Sequence, residues 1–138
     1  MRALVIYCLL LVMSISCFSQ VAVKLKVESI STNGGQIYVS IFNNEQTYKG
    51  REPYLSFVIN SDTIIASKDL NLPIGQYVFS IYQDSNGNGK LDANLFGIPK
   101  EKFGFSNYNG KSAPGSFKQH KVEINEIEHE VVVVLYKI

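Results

Sequence analysis

The sequence predicts an all-β protein: a single immunoglobulin-like or transthyretin-like β-sandwich of about seven strands, preceded by a signal peptide. Three observations predict it. Apolar and polar residues alternate with a period of two along most of the chain, the alternating runs are short and punctuated by Gly, Asn, Asp and Pro, and nothing longer than a turn or two repeats at helical spacing. Successive strand side chains point to opposite faces, so this pattern buries one face and wets the other.

The chain opens on "MRALVIYCLLLVMSISCFSQ", with Arg2 followed by an apolar run from Ala3 to Met13 and then mostly small or polar residues. That order is expected of a secretory signal peptide, and the run is short for a bilayer-spanning helix. Residues 1–19 are therefore expected to be removed, leaving residues 20–138 as one domain with no transmembrane span, exported to the periplasm, the cell surface or the medium. Lipid anchoring at Cys17 is the less favoured outcome, because Ser14 stands where such signals usually carry Leu. Both cysteines, Cys8 and Cys17, fall inside this leader, so the domain is expected to have no disulfide and no thiolate chemistry. A formal net charge of +1 creates no single-sign field and excludes nucleic acid as an expected partner.

In "VAVKLKVES", Val21, Val23, Leu25 and Val27 face one side and Ala22, Lys24, Lys26 and Glu28 the other, a half-buried strand. After "TNGG", "QIYVSIFN" alternates Ile37, Val39 and Ile41 against Tyr38, Ser40 and Phe42, so the first two strands are expected to form a hairpin. Residues 43–53 are polar and breaker-rich, a loop or one helical turn. Strands are expected over 54–60, 63–72, 75–84, 117–124 and 128–138, the last with a continuous Val run that predicts burial on both faces. Residues 85–116 carry little strand pattern, and so long a loop needs something to hold it.

That loop starts with "DSNGNGKLD", residues 84–92. Oxygen-bearing side chains at every second position suit a calcium loop: Asp84, Asn86, Asn88 and Asp92 through side chains, Lys90 through its carbonyl, and Gly89 at the bend. The bidentate Glu expected at the twelfth position is missing, since Leu95 stands there, and Glu101 is the expected substitute. With at most three formal negative charges, such a site should bind Ca²⁺ weakly, with a dissociation constant of about 10⁻⁴ to 10⁻³ M. A metal-free turn built on the Asn-Gly pairs is the competing reading, but it leaves unexplained an Asp at both 84 and 92.

Further along come Phe96, Phe103, Phe105, Tyr108 and Phe117. They are read as a satellite core under the loop, in preference to a stacking platform for sugar rings.

Residues 72–107 resemble the DUF2141 family of exported bacterial proteins of uncharacterised function. The resemblance rests on Pro73, Gly75 and Tyr77; on Asp84, Asn86, Asn88, Gly89 and Asp92; on Gly97, Ile98, Pro99 and Glu101; and on Gly104, Phe105, Ser106 and Asn107. It implies a β-sandwich and an exported location, and it implies no reaction. The 84–92 stretch is also similar to calcium loops of bacterial surface β-sandwich modules.

Catalytic readings find little support. "GFSNY" lacks the second glycine of a nucleophile elbow, His120 and His129 are expected to be solvent-facing strand residues, and Glu101 paired with an Asp would be a poor proton donor beside a cation. The expected function is a structural or ligand-binding module at the cell envelope, its partner an envelope or extracellular carbohydrate or protein. A carbohydrate-binding module or a glycoside hydrolase using Glu101 is the alternative.

Overall fold

The computed structural model describes residues 19–138 apart from Asn33, Glu126 and Glu128. The expected leader, up to residue 18, lies outside the described residues. The chain is 47% strand and 9% helix in two sheets, so the all-β sandwich holds. In order come β1 (Gln20–Glu28), β2 (Gln36–Phe42), α1 (Glu45–Gly50), β3 (Leu55–Ile59), β4 (Ile65–Pro73), β5 (Gly75–Asp84), β6 (Phe103–Phe105), α2 (Phe117–His120), β7 (Val122–Ile124) and β8 (His129–Val134).

One sheet has the order β4-β1-β8, and the other β3-β2-β5-β6, with β7 beside the first residues of β5. Between them lies a single core. Val23, Leu25 and Val27 of β1, Ile37, Val39 and Ile41 of β2, Leu72 of β4, Phe79 and Ile81 of β5, and Val133 of β8 are all essentially inaccessible to solvent. These are the apolar positions of the alternating runs. A smaller cluster on the outer face of the five-stranded sheet gathers Phe42, Val78 and Phe117, with Tyr48 and Phe105 against them, under α1 and α2.

The expected β1–β2 hairpin does not form. The two strands lie in different sheets: β1 pairs antiparallel with β4 and parallel with β8, whereas β2 pairs with β3 and β5. A hairpin and an arch between sheets carry the same alternation, because both turn their apolar faces to one core. The segment after β1 therefore fixes the outcome: Ser29 takes a positive φ of 62° and the Ile30 N–H donates to Ile64 O at 3.1 Å, leading the chain across.

The Val run of β8 is likewise not buried on both faces. β8 is an edge strand with Val131 and Val133 inward and Val132 43% exposed. The expected strand over 117–124 divides into α2 and β7, because Ser116 and Gln119 form a capping box in which Gln119 Oε1 accepts the Ser116 N–H at 2.8 Å. Within the supposedly strandless stretch sits β6, which raises the strand total to eight among the described residues.

β6 also closes one side of the sandwich. Phe103 and Tyr136 exchange backbone hydrogen bonds of 2.9 and 2.8 Å, joining the two sheets. Gly104 lies at this seam, where a Cβ would stand 2.3 Å from Val134 O. Gly104→Ala is therefore expected to force the seam apart and destabilise the protein by about 1–3 kcal/mol, seen as a lower urea midpoint at an unchanged slope. An unaltered midpoint would show that the seam yields freely.

Candidate ion loop at the end of the five-stranded sheet

β5 pairs with β2 on one side and with β6 and β7 on the other, and it delivers Asp84 to its end at 1% exposure. A carboxylate removed from water must find donors, and Asp84 finds three on the chain that follows. Its Oδ1 accepts the N–H groups of Gly87 at 2.9 Å and Asn88 at 3.2 Å, and its Oδ2 accepts that of Gly89 at 2.6 Å. Asn86 Oδ1 accepts from Asn88 N at 3.1 Å and Asn88 Oδ1 from Lys90 N at 2.9 Å, so side-chain-to-backbone turns follow one another. Gly87 and Gly89 take the positive φ angles of 75° and 73° that this coiling requires.

The side chains of Asn86, Asn88 and Asp92 converge. Both amide groups donate to Asp92 Oδ2, Asn88 at 2.9 Å and Asn86 in a short contact. Glu101, 5% exposed, occupies a different position from the one expected of a closing ligand. Its Oε1 accepts from Ser85 N at 2.8 Å and Ser85 Oγ at 3.1 Å, and its Oε2 accepts from Asp92 N at 3.2 Å. It thus ties the two ends of the 85–92 coil together. Lys90 lies on the coil with its side chain exposed. Among the described residues, no three His, Cys, Asp or Glu side chains form a metal-holding group by themselves, so an ion here would draw on amide and backbone oxygens too.

Three residues that sequence reasoning passed over anchor this coil. Tyr82 donates its hydroxyl to Gly89 O at 2.9 Å and stacks on Tyr38 with ring centroids 5.1 Å apart. Burial first, then the neighbouring Tyr38, Asp84 and Glu101, raise its phenol above the ordinary 10.0, which keeps the donor protonated. Gln83, 2% exposed, donates to Ser31 O at 2.7 Å and accepts from Ser31 N at 3.0 Å, clamping the β1–β2 arch to the root of the loop. Its signal was legible: it continues the inward series Tyr77, Phe79, Ile81 as a polar residue where an apolar one belongs. Ser85 supplies the N–H and hydroxyl that Glu101 takes up.

Beyond the coil, the aromatic residues pack as a satellite core. Phe103 and Phe117 are buried, and the ring pairs Phe103–Phe105 and Phe105–Tyr108 meet at 74° and 83°, edge to face rather than as a flat platform. Phe96 departs from the group, 88% exposed. His120, expected to face solvent, is 4% exposed within this core. Its Nε2 accepts the Gly115 N–H at 2.8 Å, its Nδ1 meets Ser106 O at 3.1 Å, and its ring lies over Phe105. Burial follows from α2, which turns the ring inward where a strand would have turned it out. Ser106 is committed too, its hydroxyl accepting from Phe79 N and donating to His120 O. His129 is partly exposed and bonds with Asn125.

No curated protein and no solved structure matches the chain. One family profile does, over residues 25–132, from β1 into β8 and including the whole loop; it is described as "Uncharacterized protein conserved in bacteria (DUF2141)". On that match across most of its length, this chain belongs to the DUF2141 family.

Proposed function

We propose that the protein is an exported sandwich of immunoglobulin-like or transthyretin-like type whose 84–92 coil binds calcium, serving as a structural or ligand-binding module at the cell envelope and not as an enzyme. One observation carries the ion: Asn86, Asn88 and Asp92 converge from three places on the coil, two amides meeting one carboxylate oxygen. A hard cation prefers oxygen there, and it would exchange the amide N–H contacts for ligation by Asp92 and the side-chain carbonyls of Asn86 and Asn88. The Lys90 carbonyl completes the proposed set, and Asp84, its oxygens engaged by Gly87, Asn88 and Gly89, shapes the coil around it. Glu101 stays the latch, since its oxygens are engaged by Ser85 and Asp92.

The hydrolase alternative is less favoured, because both oxygens of Glu101 accept backbone N–H groups. The ligand side of the role rests on the exported location expected from residues 1–19. Because hydrogen bonds already shape the coil, calcium adds to an existing structure.

Titration of calcium into residues 20–138 by calorimetry is expected to show one site with a dissociation constant of about 10⁻⁴ to 10⁻³ M, lost in Asp92→Ala. At about 10 mM calcium against chelator, the melting temperature should rise by about 4 to 8 °C, corresponding to roughly 1.4 to 2.7 kcal/mol. No heat and no shift would remove calcium from the account.

Glu101→Gln leaves the size of the side chain but weakens acceptance from Ser85 and Asp92. It is expected to cost about 1 to 3 kcal/mol in chelator as well as in calcium, which separates a latch from a ligand. A loss confined to calcium-loaded protein would make Glu101 a ligand instead.

The raised Tyr82 phenol also has a sign. The unfolded chain releases this proton first, so the stability from neutral Tyr82 is fully present below pH 10.0 and fades as pH climbs through the folded value. Urea midpoints taken across alkaline pH should fall less steeply in Tyr82→Phe than in the parent; parallel curves would contradict the assignment.

A further inference from the structure

We propose that the tip of the loop, residues 91–98, is a docking finger for an anionic phospholipid bilayer, inserting Leu95 and Phe96 among the acyl chains while lysines at its root meet the headgroups. Leu95 is 102% exposed and Phe96 88%, and Leu91 and Ile98 beside them are 39% and 41% exposed. Among the described residues Leu95 and Phe96 are the most exposed of the large hydrophobic side chains, and they are adjacent at one tip, which marks an interaction site.

The finger is built, not frayed. Ala93 and Pro99 pair across its base, Asn94 N donates to Ile98 O at 2.8 Å, and Lys100 N donates to Asp92 O at 2.8 Å. Asn94 Oδ1 accepts from both Phe96 N at 2.9 Å and Ile98 N at 3.0 Å, and Gly97 supplies the positive φ of 76° that closes the turn. Four hydrogen bonds thus fix the turn from which Leu95 and Phe96 project furthest.

Charge selects the occupant. Lys90 and Lys100 are exposed at the root, and Lys100, Lys102 and Lys137 line, with Glu101, one shallow cavity of about 100 Å³ there, Lys102 donating to Ser29 O at 2.8 Å. The carboxylates of the same loop keep their charge but lie inside it, Asp84 and Glu101 buried on backbone N–H groups and Asp92 Oδ2 held by two amides, so the charge presented to solvent at the root is that of the exposed Lys90 and Lys100. Apolar side chains ahead of a basic collar match a bilayer, with acyl chains beneath negatively charged headgroups. Shape argues the same way. Two side chains standing clear of the fold would need a preformed cavity in a protein partner, whereas lipid yields around them. The inference does not rest on calcium binding, and its test is run in chelator.

The sequence contains no tryptophan, so Phe96→Trp reports from the tip alone. On mixing residues 20–138 carrying this change with vesicles of phosphatidylglycerol and phosphatidylethanolamine, emission is expected to shift to the blue, and much less so with phosphatidylcholine alone. In flotation assays the double variant Leu95→Ser/Phe96→Ser should partition at least about tenfold less than the parent, with an unchanged melting temperature because both side chains are exposed. Lys100→Gln should lower partitioning by about fivefold and reduce its salt dependence. Absence of a blue shift, or equal flotation of the double variant, would overturn the proposal. So would soluble self-association that the double variant abolishes while vesicles go unbound, which would give the tip to a protein contact.

Discussion

Two carboxylates taken out of water, Asp84 and Glu101, set the terms for everything at this end of the molecule. A buried charge without donors is untenable, and backbone N–H groups are the donors at hand. Asp84 draws three of them from Gly87, Asn88 and Gly89, which coils the chain tightly after β5. Glu101 draws one from each end of that coil, at Ser85 and Asp92, and so returns the chain to the sheet in register for β6. The loop therefore has its form before any ion enters, which makes an ion an addition to a standing structure and explains how a thiol-free domain of this size keeps so long an excursion ordered.

The same constraint divides the loop into parts with different physics. Its root is polar and internally bonded, clamped by Gln83 to the arch between β1 and β2 and by Tyr82 to Gly89. Its return limb carries the aromatic residues that, with α1 and α2, cover the outer face of the five-stranded sheet, where His120 and Ser106 exchange hydrogen bonds with each other and with Gly115 and Phe79. The tip between Ala93 and Pro99 turns outward with Leu95 and Phe96 at its end. A fold that buries its acids and displays its hydrophobes has an unusual polarity at that end, and the lysines around the root are what give it a chemical direction.

How far residues alone reach can be seen in pairs of outcomes. The inward series of β1, β2 and β5 was legible because period-two alternation is a local property of the backbone, independent of partners. The β1–β2 hairpin was not, because an arch between sheets uses the same alternation, and the choice lies in where Ser29 and Ile30 send the chain. The Val run of β8 reads as doubly buried, yet Val132 is exposed, since an edge position is decided by which strands remain to pair. The chain could have been read better at Ser116–Gln119, where the capping pattern announces α2 and with it the burial of His120. At the loop, the spacing of Asp84, Asn86, Asn88 and Asp92 foretold residues that coil around one region, whereas Glu101 as a latch could not be read from it.

By itself the sequence determined the class of fold, the strands that line the core, the family, and the oxygen-rich coil, because each depends on local periodicity or on residues adjacent along the chain. Tertiary structure alone decided which sheet each strand joined, that Glu101 binds N–H groups at both ends of the coil, that His120 lies in a core, and that Leu95 and Phe96 stand in water. Those are contacts between residues far apart in the chain or facing no neighbour at all, and their energies depend on burial, which no local pattern encodes.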